Sequence, residues 1–154
     1  MTKNVSDHRR SLPRARAEWR IAIVHALFHE AEVQAMVEYA KRTLIDAGVS
    51  ENAITLHPVA GSFEVPLIGA AIAEAKGADA LIGFGVIVEG ETHHASLLAE
   101  QTARGIMDVQ IRYRIPFAFE ILYVADLNQA RARAEKGREA AVSVLRSLHT
   151  LQDL

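Results

Sequence analysis

The chain has 154 residues, half of them apolar and only 6% aromatic, with a formal net charge of −2. That length fits one domain with an aliphatic core, and the mixed charge leaves no electrostatic footprint for nucleic acid or an anionic membrane surface. The lack of cysteine excludes disulfides and thiolate metal sites, and no apolar run approaches the roughly 20 residues of a membrane span. Residues 1–19 are polar and Arg-rich without an apolar signal core. They are expected to form a flexible N-terminal arm before a single domain spanning 20–154, in a cytoplasmic protein.

Arg20–Ala26 predicts a buried strand, because Ile21, Ala22, Ile23 and Val24 run together as in a strand covered on both faces. Ala31–Ala47 carries Val33, Met36, Val37, Ala40 and Leu44 at helical spacing, and Gly48 supplies the stop. Ala53–Val59 alternates as a second strand. Glu64–Lys76 is a short helix ended by Gly77. Asp79–Val88 is a third strand, broken by Gly90, and Thr92–Tyr113 a long helix. Pro116–Val124 is the fourth strand. Asp126 can cap a helix from Leu127 to about Lys136, which Gly137 interrupts before a last helix at Arg138–Leu148.

Strands alternating with helices predict an α/β fold: a three-layer α/β/α sandwich around a four-stranded parallel sheet, flavodoxin-like, with right-handed crossovers. Ligands of such sheets bind beyond the carboxyl ends of the strands. Four strand-to-helix turns therefore carry the chemistry. The first offers Phe28, which on its own is better explained as core. The second, Gly61-Ser62-Phe63-Glu64, opens a helix with a carboxylate. Glu64 either complements the helix dipole or accepts hydrogen bonds from a polyol or amine, and both readings stay open.

The third turn is the richest. Gly90 permits close backbone approach, and Glu91 and Thr92 present N–H groups at a helix start, where an anion is stabilised. Thr92 adds a hydroxyl. His94 follows in the first helical turn, where the dipole favours a neutral imidazole able to accept a proton. His93 and His94 also read as plain surface residues. A shared metal is excluded by spacing, since neighbours on a helix diverge by roughly 100 degrees. After the fourth strand, Arg131, Arg133, Lys136 and Arg138 read by default as a solvated face, or as the source of one phosphate partner.

The second and third turns together resemble the 6,7-dimethyl-8-ribityllumazine synthase family of riboflavin biosynthesis. Gly61-Ser62-Phe63-Glu64-Val65-Pro66 matches one family motif. Gly85-Val86-Ile87-Val88-Glu89-Gly90-Glu91-Thr92-His93-His94 matches a second, with Glu89 in place of the usual Arg. Gly105-Ile106-Met107, Ile115-Pro116 and Gln129-Ala130 extend the resemblance over about Arg20 to Leu148. It implies a transferase that condenses 5-amino-6-ribitylamino-uracil with 3,4-dihydroxy-2-butanone 4-phosphate, with no metal or organic cofactor. Phe28 would stack on the pyrimidine, and Ser62, Phe63 and Glu64 would hold the ribityl chain. The backbone of Val86, Ile87 and Val88 would read the pyrimidine edge. Glu91, Thr92 and Arg133 would bind phosphate, and His94 would transfer protons. Phe119, taken to end the fourth strand, would line the pocket from a neighbouring subunit of a pentamer or a multiple of one.

The departures are specific. Besides Glu89, Ala95-Ser96 replaces an aromatic-Asp pair, Ala60 a Pro and His29 an Asn, and the connection after Arg133 is shortened to Ala134-Glu135-Lys136-Gly137. They support an alternative: a diverged paralogue that binds a pyrimidine or flavin-type ring, or acts as an oligomeric scaffold. An unrelated doubly wound module is weaker. Leu27-Phe28-His29 offers neither the acidic cluster of a receiver domain nor a Gly-x-Gly-x-x-Gly turn.

Overall fold

In the computed structural model, which describes residues 11–154, the chain runs β1 (Ile21–Ala26), α1 (Glu30–Ala47), β2 (Ile54–Val59), α2 (Val65–Glu74), β3 (Ala80–Val88), α3 (His94–Tyr113), β4 (Phe117–Val124), α4 (Leu127–Arg131) and α5 (Lys136–Gln152). The strands form one parallel sheet in the order β2-β1-β3-β4. The expected layered α/β fold is therefore borne out.

The sheet is built by the two-residue period of its central strands. Ile21, Ile23, Ile82, Phe84 and Val86 join the core beneath α1 and α5. Ala22, Val24, Leu81 and Ile87 join a second core beneath α2 and α3. All six residues of β1 are buried, as a strand covered on both faces requires. β2 lies at an edge, where Thr55, Leu56 and Pro58 are exposed. Val33, Met36, Val37, Ala40 and Leu44 of α1 are wholly buried, and Gly48 ends the helix at φ 109°.

Two sequence expectations change. Gly137 does not interrupt a helix; it lies in the first turn of α5. A Cβ there would collide with the Met36 carbonyl, so glycine allows α5 to pack against the backbone of α1. The helix expected at Leu127–Lys136 stops at Arg131, and a turn over 132–135 follows. Part of the segment expected as an arm over 1–19 makes contacts with the domain. Ala15 N–H donates to the Ala47 carbonyl at 2.8 Å, the Arg14 carbonyl lies 2.6 Å from His149 Nε2, and Trp19 is buried with its ring edge-on to His149. Residues 1–10 of that arm lie outside the described residues. No helix among the described residues is long and apolar enough to cross a membrane.

The topology fixes where a ligand can sit. The chain leaves β1 toward β2 on one side and β3 toward β4 on the other, so the crevice opens above the carboxyl ends of β1 and β3.

Among the described residues, one buried side-chain polar group has no partner. Thr102, on α3, is fully buried, and its hydroxyl makes no hydrogen bond. Thr102→Val removes that group at nearly constant shape, and is expected to raise the unfolding free energy by about 1 kcal/mol, read from urea denaturation.

Candidate functional site at the carboxyl edge of the sheet

The crevice is made by a strand that outruns its neighbour. The β1–β3 ladder ends with His25 opposite Phe84, whereas β3 continues to Val88. Its other side stays paired with β4 up to Val88 opposite Val124, and Glu89 N–H then reaches the Val124 carbonyl at 2.8 Å. The cause lies after Ala26. Leu27 and Phe28 donate to the carbonyls of Val59 and Ala60 at 2.8 and 3.2 Å, which ties the chain to the end of β2 and away from β3. Ala80 N–H bonds to Arg20 on the β1 side, and Leu81 N–H to Pro116 on the β4 side. Residues of a strand alternate in this way, so Val86 and Val88 turn their N–H and C=O groups into the space beyond β1. Backbone groups without a ladder partner must be satisfied by water or a ligand.

Aromatic side chains stand beside this gap. Phe28 is 65% exposed, against the core role that its residue type alone favoured, and its ring lies 4.3 Å from that of His29. His29 adopts φ 57°, a left-handed conformation costing a non-glycine residue about 1 kcal/mol. Phe63, after β2, is 59% exposed. Its neighbour Ser62 is buried over Gly85 of β3, where any Cβ would strike the serine hydroxyl. Gly85 therefore seats the one-turn helix Ser62–Glu64 on β3. Glu64 Oε2 accepts the Gly61 N–H at 3.0 Å, which realises its structural role. Its Oε1 accepts no hydrogen bond from the described residues.

The turn after β3 is wholly exposed from Glu89 to His94. α3 begins at His94, two residues later than the sequence suggested, and the difference moves its donors. His94 N–H points to Thr92 Oγ1 at 3.4 Å, one residue before the N-cap position, His93, whose side chain makes no capping bond. The first-turn N–H groups of Ala95 and Ser96 precede the first α-helical bond, Leu97 N–H to the His93 carbonyl at 3.0 Å. Sequence reasoning, by starting the helix at Thr92, assigned these donors to Glu91 and Thr92.

Three of the four cations after β4 are sorted by their partners. Arg131 gives Nε and Nη2 to Oε1 of the buried Glu32 at 3.2 and 3.0 Å, tying α4 to α1. Lys136 pairs with Glu139 at 2.9 Å. Arg133, in the 132–135 turn, donates Nη1 to the Gln129 carbonyl at 3.0 Å and has no carboxylate partner among the described residues. Asp126 caps α4 by accepting the Gln129 N–H at 3.0 Å, as its position predicted.

One residue departs from this grouping, and two more have properties that the sequence did not mark. Phe119 does not end β4; it is the third residue of that strand, opposite Gly83, and half-exposed on the open edge of the sheet. Within one chain it stands apart from the carboxyl-end turns. Its neighbour Glu120, which the sequence gave no reason to single out, has a carboxyl pushed up to about 7 by burial. His25, on the last rung of the β1–β3 ladder, is held below the usual imidazole range, again mainly by burial, and its Nδ1 accepts Gln34 Nε2 at 3.3 Å.

Comparison with known proteins adds to this geometry. The family model described as 6,7-dimethyl-8-ribityllumazine synthase matches residues 18–152. A protein of that name from Albidiferax ferrireducens is 40% identical over 136 residues, covering 88% of this chain and 87% of the relative. Relatives of the same name from Polaromonas sp. and Paracidovorax citrulli are each 38% identical, covering 89% and 87% of this chain and 90% and 88% of their own lengths. With a match over nearly its whole length and relatives this similar, the chain belongs to the 6,7-dimethyl-8-ribityllumazine synthase family.

Proposed function

We propose that the protein condenses 5-amino-6-ribitylamino-uracil with 3,4-dihydroxy-2-butanone 4-phosphate to 6,7-dimethyl-8-ribityllumazine, releasing phosphate and water. Its family membership supports the reaction, and the overhang of β3 past β1 is the single observation that supports the site. A pyrimidine edge offers donors and acceptors that match the N–H and C=O groups of Val86 and Val88, with Ile87 between them. Phe28 supplies a face for the ring. Ser62, Phe63 and the unbonded Oε1 of Glu64 form the wall for the ribityl chain.

The keto-phosphate lies at the start of α3, beside Glu91 and Thr92, with Arg133 as its cationic partner. The pyrimidine amine attacks the ketone and water is lost to give an imine. Phosphate leaves, and the second ring closes with loss of water. His94 carries protons between these steps. Holding two reactive partners together supplies much of the acceleration, and the helix start with Arg133 stabilises the departing phosphate.

The site is completed by another copy of the chain. Leu67 on α2, Met107 and Ile111 on α3, and Phe119 and Tyr123 on β4 are exposed apolar side chains. β4 is an open sheet edge of the kind that proteins cover. Phe119 on that edge is offered to a neighbour's pyrimidine pocket, in a pentamer or a multiple of one. The cytoplasm is the proposed compartment.

Turnover of the two substrates, followed by lumazine absorbance, tests the reaction. Saturable lumazine binding by an assembled protein without turnover would contradict it. His94→Ala is expected to lower kcat by about 10- to 100-fold with fold and assembly intact; a change under about twofold would remove His94 as proton carrier. The two arginines should separate cleanly. Arg133→Ala should raise KM for the keto-phosphate about tenfold or more and leave KM for the pyrimidine unchanged. Arg131→Ala should instead cost about 1–3 kcal/mol of stability, because it strands the buried Glu32. Equal effects of Arg133→Ala on both substrates would argue against a phosphate-specific role.

A further inference from the structure

Phe28 follows β1 with its backbone fixed and its side chain largely in solvent. Its N–H donates to the Ala60 carbonyl at 3.2 Å, yet the residue is 65% exposed. An exposed ring can occupy several staggered wells about χ1, whereas a stacking face requires one of them. Among the described residues, the aromatic ring against it is that of the next residue. The Phe28 and His29 centroids lie 4.3 Å apart, with the ring planes tilted by 54°. Successive side chains of an extended chain point to opposite sides, so two neighbouring rings meet only where the chain turns. His29 stands at such a turn, with φ 57° and ψ 47°.

Histidine is unfavourable at that position on two independent counts. Glycine takes a left-handed conformation at no steric cost and Asn takes it more readily than most residues. An N-cap favours Ser, Thr, Asp or Asn, whose side chains bond the first-turn N–H groups. His29 is the N-cap of α1, and its side chain makes no capping bond. Its half-buried imidazole forms no hydrogen bond or ion pair among the described residues. A residue that breaks the local preferences of its position without a compensating bond points to function, and the contact that His29 does make is with Phe28.

We propose that His29 is a positioning residue for Phe28: its imidazole closes off one side of the phenyl ring and holds that ring in the orientation that meets the pyrimidine. It touches no reacting atom and acts through Phe28. The proposal rests on the reading of Phe28 as the stacking face for the pyrimidine. Stability and binding then pull in opposite directions at this residue. Asn suits the left-handed backbone and can cap α1, but it has no ring to set against Phe28. Tyr keeps a ring beside Phe28 and keeps the backbone strain as well.

The test compares the wild type with His29→Asn, His29→Tyr, Phe28→Ala and the double variant of Phe28→Ala with His29→Asn. Binding is read as Kd for 6,7-dimethyl-8-ribityllumazine, titrated by its fluorescence, alongside KM for each substrate and the urea midpoint. His29→Asn should raise the lumazine Kd and KM for the pyrimidine about three- to tenfold, the scale of one aromatic contact. It should leave KM for the keto-phosphate unchanged and raise the urea midpoint. His29→Tyr should return the Kd to within about twofold of the wild type without raising the midpoint. Once Phe28 is alanine, His29→Asn should add nothing further to the Kd. An unchanged Kd in His29→Asn, while Phe28→Ala still weakens binding, overturns the role of His29 alone. An effect of His29→Asn that persists in full without Phe28 also overturns it, because the imidazole would then act on the ligand directly. No effect of Phe28→Ala on lumazine binding removes the stacking reading and this proposal with it.

Discussion

The site depends on where one hydrogen-bond ladder stops. Leu27 and Phe28 give their N–H groups to Val59 and Ala60, so β1 has nothing left to pair with β3 beyond Phe84. β3 nevertheless continues to Val88, because β4 supports its other side. A backbone edge is thus presented inside a crevice, with fixed alternation of donors and acceptors. Rigid strands position such groups more precisely than a loop does, and their unpaired state is tolerated only because water or a ligand completes them. His29, left-handed at φ 57°, follows directly on Phe28, whose ring is exposed.

Charge is distributed with equal economy around the 132–135 turn. Of the cations after β4, Arg131 is committed to the fold through Glu32, and Lys136 to Glu139. Among the described residues the Arg133 guanidinium makes one hydrogen bond, to a backbone carbonyl, and pairs with no carboxylate, which suits the phosphate role proposed for it. Glu89 and Glu91 are exposed and make no ion pair among the described residues, so the anion side of the site carries two carboxylates of its own. A phosphate at the proposed position would be held against them.

Much of the fold was legible in the sequence because apolar periodicity reports burial directly. The β1 run and the α1 stripe were placed to within a residue. Helix starts were less legible. Thr92 stands before the helix, its hydroxyl facing the His94 N–H, and the orphan donors fall on Ala95 and Ser96 rather than on Glu91 and Thr92. Gly137 read as a breaker, although its reason is steric: α1 and α5 approach too closely there for any side chain. Phe119 was misplaced along β4 because an apolar strand carries no mark of register. Glu120 escaped notice because a single carboxylate in a strand has no pattern; only tertiary burial gives it its properties.

The claim on which the rest stands is that substrate meets the exposed edge of β3. The most direct measurement is a crystal structure with 6,7-dimethyl-8-ribityllumazine bound. The account predicts the pyrimidine edge hydrogen-bonded to the backbone of Val86 and Val88, with Phe28 against the ring face and the ribityl chain along Ser62–Glu64. A product molecule seated elsewhere, with Val86 and Val88 bonded only to water, would contradict it.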